Sequence, residues 1–95
     1  MVEKSHGATL TSPASSATSA TLAAANVGRK GMIIQNSDAN ALYVKYGATA
    51  TADDYTVKIA GNDGYWEMPE PIYTGIVDGI WAADGSGSAY VTELM

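Results

Sequence analysis

From about Ala17 onward, short runs of Val, Ile, Tyr, Trp and Thr alternate with clusters of Gly, Asn and Asp, and no long stretch carries a helical period. That punctuation suits strands joined by tight turns, because β-branched and aromatic side chains fit a pleated, half-buried surface. It predicts an all-β domain: a small antiparallel β-sandwich or barrel of about seven strands.

The strands can be placed individually. Residues 17–25 (ATSATLAAA) form the weakest candidate, since alanine suits a helix turn as well as a strand, and Asn26 and Gly28 end either one. GMIIQN (31–36) alternates Met32 and Ile34 on one face with Ile33 and Gln35 on the other, before a turn at 36–40. ALYVKYG (41–47) places Leu42, Val44 and Tyr46 inward and Tyr43 and Lys45 outward, and YTVKIAG (55–61) repeats the pattern with Tyr55, Val57 and Ile59 inward. The tripeptide Asn62-Asp63-Gly64 predicts a tight hairpin between that strand and GYWEM (64–68). Pro69 and Pro71 then break the ladder. TGIVDGIWAAD (74–84), with Gly75 and Gly79 as bulge or close-approach points, is expected to form a hairpin with AYVTELM (89–95) across DGSGS.

Before these strands, residues 1–19 are rich in Ser, Thr, Ala and Gly and show no strand or helix period, so they read as an extended N-terminal arm, with the sandwich occupying 20–95. The arm is either a loose tail or a segment ordered by lying on a neighbour, with Val2 and Leu10 as apolar pegs. A chain of 95 residues buries only about 60 to 65% of its unfolded surface. With no cysteine to form disulfides, such a thin core points toward partners.

Composition narrows the partners. A net charge of -5, with only Arg29 and Lys30 adjacent, argues against nucleic acid. No apolar run approaches the roughly 20 residues of a membrane span, and the N-terminus lacks the apolar core of a secretion signal, so synthesis in the cytoplasm is expected. The single histidine, His6, lies in the arm, and Glu67 and Glu70 flank a proline corner, so no catalytic site and no enzymatic activity are expected. Asn36, Asp38 and Asn40 have the spacing of the first ligands in a calcium loop. Ala41 and Gly47 stand where that loop needs glycine and glutamate, so a turn is expected, with no metal and no cofactor. With 6 Tyr, 2 Trp and no Phe, the aromatics divide between core and interface. Trp81, between Ile80 and Ala82, reads as core; Trp66 fits either role; Tyr43 and Tyr90, opposite the apolar stripes, read as partner-binding residues beside Val2 and Leu10.

The segments Arg29-x-Gly31-x-x-Ile34-x-Asn36, Leu42 to Thr49, Tyr55 to Lys58, and the Gly-Ile-Trp-Ala (79–82) and Val-Thr-Glu (91–93) runs resemble small β-sandwich virion proteins of tailed bacteriophages. The resemblance covers most of the chain and describes architecture rather than a chemical site. It implies a capsid decoration (cement) protein on the capsid exterior, binding the major capsid protein with its N-terminal arm laid on neighbouring subunits, and self-associating, as a trimer in preference to a dimer. A tail, fibre or baseplate accessory module is the alternative within structural proteins. A carbohydrate-binding module stacking glycans on Trp66, Tyr65 and Tyr43 is the alternative outside them.

Overall fold

The computed structural model describes residues 4–95, so Val2 lies outside the described residues. These residues form eight strands and no helix: β1 (Ala8–Thr11), β2 (Ala20–Ala23), β3 (Gly31–Asn36), β4 (Leu42–Tyr46), β5 (Val57–Ile59), β6 (Gly64–Glu67), β7 (Val77–Trp81) and β8 (Ala89–Leu94). They make two antiparallel four-stranded sheets in the orders β1-β8-β3-β6 and β2-β7-β4-β5. Except for β4 to β5, every successive connection crosses from one sheet to the other. An eight-stranded double sheet wound in this order is a jelly roll.

The expected seven strands are all present, and the core follows their alternation. Met32 and Ile34 of β3, Leu42 and Val44 of β4, Val77 and Trp81 of β7, and Ala89 and Val91 of β8 point between the sheets and are buried. Gly79 also points inward: a Cβ there would lie 2.7 Å from Leu22 Cδ1, so its glycine is a close-approach point, as its position suggests. The ladder irregularity falls opposite, in β2 between Thr21 and Ala23, and it coincides with Leu22 turning into the core.

Three expectations are corrected. The Asn62-Asp63-Gly64 turn reverses the chain with positive φ at Asn62 and Asp63, but β5 pairs with β4 and β6 with β3, so it is an arch between sheets and not a hairpin. The DGSGS segment likewise carries β7 across to β8 in the opposite sheet. Turn chemistry specifies a reversal; which sheet receives the next strand depends on where its neighbours' hydrogen bonds lie. Here Asn62 N donates to Asp38 O of the β3–β4 loop and Asp63 N to Asn36 O at the end of β3, both at 2.8 Å. Third, Tyr55 does not enter the core with Val57 and Ile59. It lies before the start of β5, is 43% exposed, and stacks edge-on against Tyr43 with ring centroids 4.9 Å apart.

Residues 8–11, within the segment that shows no strand period, form a strand. β1 adds to the edge of its own chain's sheet, pairing Ala8 with Leu94 and Thr11 with Val91. All four of its residues are exposed, so β1 contributes ladder hydrogen bonds but nothing to the core. Backbone bonds between Gly7 and Met95 continue the ladder to the C-terminus.

Candidate functional site

The winding brings loops 12–19, 37–41, 60–63 and 82–88 to one end of the sandwich, and a buried polar cluster ties them together. Asn36 Oδ1 accepts from Trp81 Nε1 at 3.0 Å and from Asp38 N at 3.2 Å; its Nδ2 donates to Asn40 O at 2.8 Å and Ala60 O at 3.2 Å. One Asp38 carboxylate oxygen accepts from Gly87 N and the other from Asn40 N and Nδ2, all at 2.9 Å. The backbone N–H of Asn40, followed by that of Gly87, holds the Asp38 carboxyl below its ordinary range. A Cβ on Gly87 would lie 2.5 Å from Asp38 Cα, so only glycine admits this approach. The calcium-like spacing at 36–40 thus serves as an acceptor hub for protein N–H groups.

The other end is tied by Arg29, which is 3% exposed. Its Nε donates to Glu93 Oε2 at 2.6 Å, Nη1 to Tyr73 O at 2.7 Å and Gly75 O at 3.0 Å, and Nη2 to Ala24 O at 2.8 Å. One planar guanidinium therefore joins the β2–β3 loop, the β6–β7 loop and β8. Beside it Tyr46 and Tyr73 stack with ring centroids 4.4 Å apart, and Tyr46 meets Trp66 at 6.1 Å. Burial pushes the Tyr46 phenol up, with the Arg29 charge opposing. Trp66 therefore packs against the core's rim from inside, on the edge strand β6.

The outer faces of the two sheets differ. On β2-β7-β4-β5, Lys45 bonds Asp54 Oδ2 at 2.6 Å, and Lys58 Nζ sits 5.5 Å from the centroid of the Tyr43 ring. Tyr43 is half-buried there between Lys58 and Tyr55. Asp78, whose cross-strand neighbours are Thr21 and Lys45, is buried, and its Oδ1 has no hydrogen-bond partner among the described residues.

The outer face of β1-β8-β3-β6 is nearly uncharged. Register places Leu10, Thr92, Ile33 and Glu67 in one row across the four strands, and Tyr90, Gln35 and Tyr65 in the next. Leu10 is 72% exposed and Tyr65 73%. Leu94 lies over Gly31 on the same face, beside a groove of about 620 Å³ whose walls include Met32, Met68, Pro69 and Ile72 and whose rim carries Lys30 and Glu70. The groove opens where Pro69 takes the chain off the ladder after Met68 N bonds Met32 O.

Of the residues singled out by sequence, Leu10 and Tyr90 both lie on this face, in adjacent rows, Tyr43 lies on the opposite sheet, and Trp66 points inward. Tyr65 and Trp66 are successive residues of one strand and face opposite ways. Trp66, Tyr65 and Tyr43 therefore share no common platform. Ile33 lies on the face opposite Met32 and Ile34, as the alternation of its strand gives; Leu94 shares that face, and the role of both depends on β1 lying alongside β8. No family model, curated protein or solved structure matches this chain.

Proposed function

We propose that this chain is a structural virion protein, a capsid decoration (cement) protein that binds the outer surface of the major capsid protein lattice and stabilises the head. The observation that carries this reading is the apolar part of the exposed β1-β8-β3-β6 face: Leu10 and Ile33 with the half-buried Leu94, beside the groove walled by Pro69 and Ile72. Exposed apolar surface of this kind marks docking sites on small domains. The phage resemblance supplies the partner, and two of its motif positions, Arg29 and Asn36, are the side chains that tie the two ends of the sandwich. Jelly rolls occur in viral capsid proteins, lectins and cupins alike, so the fold is compatible with the role without selecting it.

In this mechanism the docked face and the edge of β1 bury at least about 1,200 Å² in total against the shell. Many copies on one lattice add through avidity, and the shell gains binding free energy that opposes its rupture. Quantitative mass spectrometry of purified particles tests the reading. Hundreds of copies per particle, with earlier thermal rupture of particles lacking the protein, are expected; a handful of copies indicates a tail, fibre or baseplate module, and absence from particles rejects a virion role.

A further inference from the structure

Beside the apolar part of the exposed face, toward the Asn36 end, Tyr90, Gln35 and Tyr65 stand in one row on the adjacent strands β8, β3 and β6, with Gln35 the Cα partner of both tyrosines. Their chain neighbours Ala89, Val91, Ile34 and Asn36 are buried, so the three side chains project outward, with Tyr90 53% and Tyr65 73% exposed. Neither ring is among the aromatic contacts that pack Tyr43, Tyr46, Tyr55, Trp66 and Tyr73. We propose that this row binds an extended, neutral β-1,4-linked glycan chain. The inference does not rest on the attachment reading above.

Spacing and chemistry select this ligand. Two strand intervals separate the tyrosines by about 10 Å, which matches the advance of two sugar rings in an extended β-1,4-linked chain. Successive sugars in such a chain are turned over, so alternate rings present the same C–H-bearing face to a flat surface. Those C–H groups are weakly positive and stack on the negative face of an aromatic ring. The sugar between them presents its hydroxyls to Gln35, whose amide offers both donors and an acceptor. The row carries no formal charge on a chain of net charge -5, so a neutral polymer meets no repulsion while an acidic polysaccharide does. An α-1,4-linked chain curls and cannot set alternate rings on both tyrosines.

The test is an NMR titration of the full chain with cellohexaose and chitohexaose, with maltohexaose as the curled control. At least one β-linked hexaose is expected to bind in the millimolar range or tighter, with amide shifts centred on Gln35, Tyr65 and Tyr90. Tyr65→Ala and Tyr90→Ala should each weaken binding by about tenfold, the size of one lost aromatic contact. Tyr43→Ala should leave it unchanged. Both tyrosines in the row are largely exposed, and an unchanged spectrum in the core strands verifies that each variant is folded. Failure of both β-linked hexaoses to bind, equal binding of maltohexaose, or indifference to both substitutions overturns the proposal. If no hexaose binds and Tyr65→Ala instead weakens attachment to particles, the row belongs to a protein interface, which also overturns it. Loss of glycan binding with particle attachment intact separates this proposal from the decoration reading.

Discussion

Trp81 Nε1 donates to Asn36 Oδ1 at 3.0 Å across 45 positions of chain, with both side chains buried. The bond connects the outgoing end of β3 with the outgoing end of β7, one in each sheet, and thereby clamps the sandwich. Because Asn36 also bonds carbonyls of two loops, its removal orphans several groups at once. Asn36→Ala is expected to lower stability by roughly 2 to 3 kcal/mol, the cost of leaving buried polar groups unpaired. A urea unfolding curve with a lower midpoint and an unchanged slope bears this out; an unchanged midpoint contradicts it.

Arg29 holds the other end and is less replaceable. Arg29→Met leaves the Glu93 carboxylate and three carbonyls without their donor, at a cost of about 3 to 5 kcal/mol. That is a large share of the roughly 5 to 14 kcal/mol expected for a domain of this length. Arg29→Lys recovers only part of the loss, since one ammonium cannot reach four acceptors spread over a planar fork. In a double-mutant cycle, Glu93→Gln should cost much less in the Arg29→Met background than in the native chain; additive losses contradict the pairing.

The Asp38 carboxyl is held below its ordinary range by the N–H groups of Asn40 and Gly87. A carboxyl whose folded pKa is depressed contributes stability that is present above its unfolded value and lost as pH falls through the folded one. The unfolding midpoint is therefore expected to decline as pH drops below about 4, and Asp38→Asn should lower stability at neutral pH while flattening that acid limb. Identical pH profiles for the two proteins contradict the role assigned to this side chain.

Leu10 contributes to surface and not to core. Leu10→Asp should change stability by no more than about 0.5 kcal/mol, as for other exposed substitutions. It should nevertheless prevent attachment to particles lacking the protein, because an unpaired carboxylate would be buried in the docked face. Co-sedimentation with such particles measures this, and undiminished attachment removes β1 from the interface.

Strand positions were legible because alternation and turn residues are local signals. Leu42, Val44, Met32 and Ile34 turn inward as their period requires, and Trp81 is core. The pairing was not legible. Asn62-Asp63-Gly64 encodes a reversal, but the choice between hairpin and arch lies in bonds to Asn36 and Asp38, more than 20 positions upstream in the chain. β1 escaped notice for a related reason: Thr9 and Thr11 stand over an open cleft rather than the core, so no apolar alternation marks the strand. Leu10 was recognisable as an apolar peg of the arm and Tyr90 as an outward strand residue, one by one. That they share a face with Ile33 and Tyr65 follows only from β8 lying between β1 and β3.

A cryo-EM reconstruction of the mature particle tests the central claim most directly. The account predicts one sandwich density per binding position on the outside of the shell, seated through the Leu10, Ile33 and Leu94 end of the β1-β8-β3-β6 sheet, with the Lys45–Asp54 side turned to solvent. Density seated through the opposite sheet, or a shell bare of the protein, would contradict it.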